Sequence, residues 1–231
     1  MLMRPCAILL SCLTIVLCGC GQKGSSSSGG DEGVKRIVFL NNTNSPFWDA
    51  CRAGIKKAEK DLKLASAGLS AEMDVNNGKP EGQIAKLRQY QTEPDIVAVA
   101  ISPMVASNVA VAEELRKLRK KGVQVICVDN DVDREKFRDC RQFYLGTDNI
   151  KGGRELGICA KQLQPEGGKY VQFVGDLGAQ NAMERMDGFT EAVGEKFTQV
   201  DRMADTTSRQ KARENVRNAI RNNPDLAVLV G

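Results

Sequence analysis

Ile96-Val97-Ala98-Val99-Ala100-Ile101 carries no polar residue on either parity of its alternation. A strand with one face in water alternates apolar and polar side chains. A run apolar on both parities belongs to a strand covered by helices on both faces, the usual state of a parallel sheet. Working outward, comparable β-branched runs recur at Val34 to Leu40, Ala71 to Val75, Val123 to Val128, Gln142 to Gly146, Lys169 to Val174, Thr198 to Arg202 and Leu226 to Val230; the central strand itself is expected over Asp95 to Ile101. Segments of helical period lie between them. Phe47, Ala50, Cys51, Gly54, Ile55, Ala58 and Leu62 recur at steps of three and four, with Arg52, Lys56, Lys57, Glu59 and Lys60 on the other face, which predicts a surface helix laid on a sheet. Pro46 suits its first turn, where a missing N–H costs nothing. Val105, Val109, Ala112, Leu115 and Leu118 predict a helix closed by Gly122, and Ala212, Val216, Ala219 and Ile220 predict one stopped by Pro224. Strands alternating with helices at this spacing make an α/β fold.

The first thirty of the 231 residues carry a different message. Arg4 precedes the apolar run Ala7 to Leu17, which is too short to span a bilayer and suits the core of a signal peptide. It ends in Leu17-Cys18-Gly19-Cys20, similar to the bacterial lipobox whose cysteine takes lipid; an ordinary secretory leader is the plainer alternative. The Gly- and Ser-rich stretch that follows has nothing apolar to pack and predicts a flexible tether. The expected organisation is therefore a leader over 1–19, a lipidated Cys20 with linker over 20–33, an N-terminal lobe over 34–147 and a partial C-terminal lobe over 148–231. Four cysteines remain beyond the anchor, Cys51, Cys127, Cys140 and Cys159; they show no CxxC spacing, and the chain has no histidine, so no metal site is expected. The net charge of +4 is spread along helices with no basic block, which argues against a nucleic-acid footprint.

In open α/β sheets ligands lie at the carboxyl ends of the strands. There the chain places Asn41-Asn42-Thr43-Asn44-Ser45-Pro46-Phe47-Trp48, Ser102-Pro103, Asp129-Asn130-Asp131, Thr147-Asp148-Asn149, Gly178-Ala179-Gln180-Asn181-Ala182-Met183-Glu184-Arg185 and Ala204-Asp205-Thr206-Thr207. Amides, carboxylates and an arginine beside aromatics suit a sugar, whose C–H face stacks on a ring and whose hydroxyls need directional partners.

These motifs, with Val125-Ile126-Cys127-Val128-Asp129-Asn130, Gly152-Gly153 and Glu184-Arg185-Met186-Asp187-Gly188-Phe189, resemble in order and spacing the type I periplasmic binding proteins of the ribose-binding branch. The resemblance implies two Rossmann-like lobes with parallel sheets closing over one sugar, the second lobe being truncated at Gly231. Position by position, it implies that Asn41 and Ser45 bond hydroxyls and that Phe47 and Trp48 sandwich the ring. Ser102 stands where the ribose receptors have Asn, Asp129 matches a carboxylate gripping two hydroxyls, and Arg185 matches an arginine from the far lobe. Asn130 departs from a common Arg, and Thr206 from a common aromatic. Plainer roles exist for several: Trp48 as core filler, Asn41 as a turn residue, Arg185 as a surface residue of its helix.

Other chemistries lack their residues. The run from Asp129 has Arg134 where a calcium loop needs glycine and Cys140 where it needs glutamate. No dinucleotide or phosphate loop and no GxSxG elbow occurs. The reading is a non-enzyme: a monomeric, lipid-anchored periplasmic receptor without cofactor, binding a monosaccharide and handing it to the membrane subunits of an ABC permease. The alternative is a sugar sensor for a kinase or chemoreceptor.

Overall fold

Parallel strands need long crossovers, and the described residues, 33–231 of the computed structural model, supply a helix at nearly every one. The leader, Cys20 and most of the tether lie outside the described residues. In the first lobe β1 (Lys35–Leu40), α1 (Pro46–Asp61), β2 (Leu69–Asp74), α2 (Pro80–Tyr90), β3 (Ile96–Ile101), α3 (Val109–Lys120), β4 (Gln124–Val128) and β5 (Tyr144–Leu145) follow in order. Its parallel sheet has the order β2-β1-β3-β4-β5. The second lobe continues with α4 (Asn149–Leu163), β6 (Gly168–Val174), α5 (Gln180–Val193), β7 (Phe197–Ala204), α6 (Arg209–Asn222) and β8 (Leu226–Val230). Its parallel sheet runs β7-β6-β8.

The all-apolar run is the middle strand β3, and Val99, Ala100 and Ile101 are buried there. Val99 and Ile101 pack with Val38 and Leu40 of β1, Leu87 and Tyr90 of α2, and Val111, Leu115 and Leu118 of α3. Each such aliphatic side chain contributes roughly 1.5–3 kcal/mol by leaving water. A smaller core in the second lobe gathers Ala160, Tyr170, Phe189, Val193 and Phe197. One ion cluster binds the strands at the end away from the turns of interest: Arg36 of β1 reaches Glu72 of β2, Glu93 and Asp95.

Element ends moved where a local bond outweighed the pattern. Val105 lies in the loop before α3, because the Asn108 side chain accepts the Val111 N–H at 3.1 Å and starts the helix there. Ile220, expected on the inward stripe of α6, is exposed. β5 spans only Tyr144–Leu145, because its one neighbour in the sheet pairs with it only at Cys127 and Val128.

The contact between α4 and α5 is set by missing side chains. A Cβ on Gly153 would lie 2.0 Å from the Arg185 carbonyl oxygen, and one on Gly188 would lie 2.2 Å from that of Ile150. Only glycine allows backbones this close. On the first lobe α2 and α3 are joined instead by Glu114, a buried carboxylate that accepts from Arg88 at 3.0 Å, Gln91 at 2.7 Å and Lys117 at 3.0 Å. Burial would raise its carboxyl, but those three bonds outweigh it and hold it at about 2. All four cysteines among the described residues are free.

Candidate functional site

From β1 the chain leaves toward β2 on one side and later returns to β3 on the other. Such a reversal opens a crevice at the carboxyl ends of the two strands. Asn41 and Asn42 leave β1 there, and Ser102 leaves β3. The second sheet has the same feature at β6, flanked by β7 and β8, whose exit carries Gly175 and Asp176.

Asp129 follows β4 with φ at 63°, in the left-handed region that Asp tolerates better than most residues. Its backbone is tied on both sides: the N–H donates to the Leu145 carbonyl at 3.0 Å, and the carbonyl accepts the Tyr144 hydroxyl at 2.8 Å. The carboxylate is left to accept from Ser102 Oγ at 3.3 Å. Burial pushes the Asp129 carboxyl above the usual range, against the pull of the Ser102 hydroxyl, the Arg185 charge and Asn181. Cys51 of α1 is near enough that the Asp129 charge adds to burial in pushing its thiol up.

Arg185 enters from α5 and donates to Asn149 Oδ1 at 2.9 Å. It lines a cavity of about 410 Å³, within the roughly 300–1,000 Å³ typical of small-molecule sites. Asn42, Asp176, Asn181 and Asp205 supply further polar groups, and Phe173, Met186 and Phe189 an apolar wall. A smaller cavity of about 170 Å³ adjoins it, between Asn42, Thr43, Gly78 and Met104 of the first lobe and Gly175, Asp176, Thr206 and Thr207 of the second. Thr206 and Thr207 are both left-handed, at φ 53° and 61°, a costly conformation for β-branched residues. Among the described residues no group of three or more His, Cys, Asp or Glu could hold a metal ion.

The residues singled out from sequence divide into two groups. Asn181 bonds both Asp129 and Asn130, Ser102 and the Arg185 charge act on the Asp129 carboxylate, and of these four singled-out residues only Arg185 lines the larger cavity. Asn130 is fully buried, donating to the Pro103 carbonyl at 2.6 Å and accepting the Asn181 N–H at 3.0 Å. The others serve the start of α1 and the end of β1. Asn41 is wholly buried, and its Oδ1 accepts the Asn76 N–H at 2.7 Å. Ser45 is the N-cap residue of α1 without a side-chain capping bond. Phe47 is 61% exposed whereas Trp48 is 3% exposed, so the two rings do not face one space equally. Trp48 Nε1 donates to Asn42 Oδ1 at 2.8 Å, and its ring packs on Phe39 and edge-on to Phe47.

Asn42, Asn76, Asp176, Asn181, Asp205 and Thr207 were not singled out. All but Asn76 and Asp176 fall inside the quoted strand-end stretches, so position was the available signal. Asn76 is buried, and its Oδ1 has no partner among the described residues. Its Nδ2 donates to the carbonyls of Asn42 and Lys79.

The chain is 23% identical over 201 residues to the ribose import binding protein RbsB of Bacillus subtilis, covering 87% of this chain and 62% of that protein. It is 25% identical over 150 residues to the galactofuranose-binding protein YtfQ of Escherichia coli, covering 63% and 44%. It therefore spans less than two thirds of the length of these relatives. Among solved structures, an ABC transporter solute-binding protein from Burkholderia graminis in complex with D-arabinose superposes with a TM-score of 0.74 at 20% identity, over 85% of this chain and 65% of that one. The fructose-binding periplasmic domain of a hybrid two-component system superposes at 0.75 with 21% identity, over 85% and 62%. These likenesses establish the fold: two lobes with parallel sheets, as the motifs implied. The model of the periplasmic binding protein domain matches residues 36–231, from the first strand through Gly231, and the chain belongs to that family.

Proposed function

We propose that this protein is an extracytoplasmic solute receptor that takes one monosaccharide between its lobes and presents it to an ABC importer. The observation that carries the reading is the Asp129 carboxylate, held by Ser102 and acted on by Asn181 and the Arg185 charge, the last two of which line a cavity with one apolar wall. A carboxylate can accept from two vicinal hydroxyls, an arginine and an amide can donate to others, and the apolar wall meets the C–H face of the ring. The periplasm and a tether lipidated at Cys20 complete the proposal, keeping the receptor beside its membrane partner. Fold likeness to the periplasmic domain of a two-component system supports one other partner, a sensor kinase that reads the same bound sugar. Permease and ATPase genes beside this one favour transport; a kinase gene favours sensing.

The test is a thermal-shift and fluorescence titration of the full chain with D-ribose, D-arabinose, D-fucose, D-fructose and D-galactose. One sugar is expected to raise the melting temperature, by linkage equivalent to about 2.7 kcal/mol at a hundredfold excess over Kd. Emission of Trp48, the single tryptophan, should shift with it through Asn42. A melting curve unmoved by every sugar at millimolar concentration would overturn the reading. Labelling with radioactive palmitate, lost in Cys20→Ser, tests the anchor separately.

A further inference from the structure

Three of the four helices that begin at or after Asn108 carry their own N-terminal cap. Asn108 accepts the Val111 N–H at the start of α3, Asp148 accepts the Lys151 N–H at α4, and Ser208 accepts the Lys211 N–H at α6. The fourth, α5, begins after Ala179, which has no side chain to cap with. Its free N–H at Asn181 is taken by Asn130 Oδ1, at 3.0 Å, from the loop after β4 in the other lobe. The same carboxamide donates to the Pro103 carbonyl at 2.6 Å, so both of its ends are occupied. Other links cross between the lobes beside it. Ala106 N–H donates to the Gly178 carbonyl at 3.3 Å, and Arg134 joins Asp131 of the first lobe to Glu184 of α5 at 2.8 and 2.9 Å.

We propose that Asn130 is a positioning residue that caps α5 from the opposite lobe and thereby favours the closed arrangement of the lobes. Its carboxamide is committed to protein groups on both sides. It acts on the ligand only through α5, the helix that brings Asn181 and Arg185 to the cavity. When the lobes part, α5 loses its cap, so opening is opposed by the loss of one part-buried hydrogen bond at the helix end. The apparent affinity for a ligand rises with the fraction of molecules already closed. This rests on the reading of the cleft as a binding site, but its test needs no ligand.

Amide hydrogen exchange of the ligand-free full chain reads the two lobes separately. In Asn130→Ala the amides of Asn181 and Ala106 should both exchange about tenfold faster, the effect of losing a bond of roughly 1 kcal/mol plus its buried partner's desolvation. The interiors of β3 and β6 should keep their protection. Faster exchange at Asn181 alone would reduce Asn130 to a local cap and overturn the proposal, as would no change at either. Ala179→Ser gives α5 a cap of its own and leaves Asn130 intact, so it carries the test if Asn130→Ala fails to fold. There Asn181 should stay slow while Ala106 quickens, and an unchanged Ala106 would overturn the proposal. A sugar panel without effect on melting, beside these exchange changes, would reject the receptor reading and keep the latch.

Discussion

Asp129 works against the stability of the chain that holds it. Its carboxyl is raised by burial, so the folded state takes up its proton more readily than the unfolded state. Its stabilising contribution is therefore complete below the ordinary carboxylate pKa and lost as pH rises through the raised folded value. At neutral pH the buried charge is a cost, and Asp129→Asn should melt higher than the parent in calorimetry while losing sugar-dependent shifts. Sugar affinity should run the other way with pH, falling in acid as the carboxylate proposed to accept hydroxyls is protonated; affinity constant down to pH 4 would remove Asp129 from the site. An acid directly after an apolar strand marks itself in the sequence, and the place of Asp129 at the end of β4 was legible for that reason. Asn41 and Asn130 were not distinguishable from it by position, since both also follow strands. Asn41 is buried by Asn76, 35 residues away, and Asn130 is engaged by Asn181, 51 residues away, partners that local pattern does not reveal.

Neighbouring glycines of α4 behave as opposites. Gly153 and Gly188 permit two backbones to touch, while a Cβ on Gly152 would meet only Thr147 Cγ2 at an ordinary 4.0 Å. Gly188→Ala should cost about 1–3 kcal/mol by overpacking, read as a lower urea midpoint. It should also weaken ligand binding, because Arg185 on α5 is carried away from Asn149 on α4. Gly152→Ala should instead stabilise by roughly 0.5–1 kcal/mol, the helix preference for alanine. Equal effects at the two positions would contradict the close-contact account. Strands of unbroken apolar character and helices of clear period were readable because burial on both faces or one face writes itself as a period. Helix starts and the short edge strand β5 were less so, since they depend on one capping bond or one neighbour. The packing role of Gly153 against Gly152 was not in the sequence at all, because the two differ only in what lies across the helix.

On the scale of the whole chain, the absence of histidine sets the response to pH. No side chain of ordinary pKa titrates between pH 6 and 8 in such a protein, and the thiols of Cys51, Cys127 and Cys140 are all raised. Melting temperature should be flat across that interval. Below about pH 4.5 stability should fall, because Glu114 is held at about 2 against an ordinary 4.5. A group so depressed stabilises above its unfolded pKa and stops doing so as pH falls through the folded one, so the loss belongs between about pH 4.5 and 2. A maximum near pH 7 in a calorimetric series would contradict this. Asp131, lowered by the Arg141 and Arg134 bonds that outweigh its burial, adds to the same acid limb. The left-handed pair Thr206 and Thr207 remains, on the second-lobe side of the smaller cavity. Each holds of the order of 1–3 kcal/mol of backbone strain, so this turn stands closer in energy to its alternatives than the relaxed loops opposite it. Should a molecule too large for the smaller cavity enter it, the first adjustment of the wall is expected at Thr206 and Thr207, where a shift would release strain rather than create it.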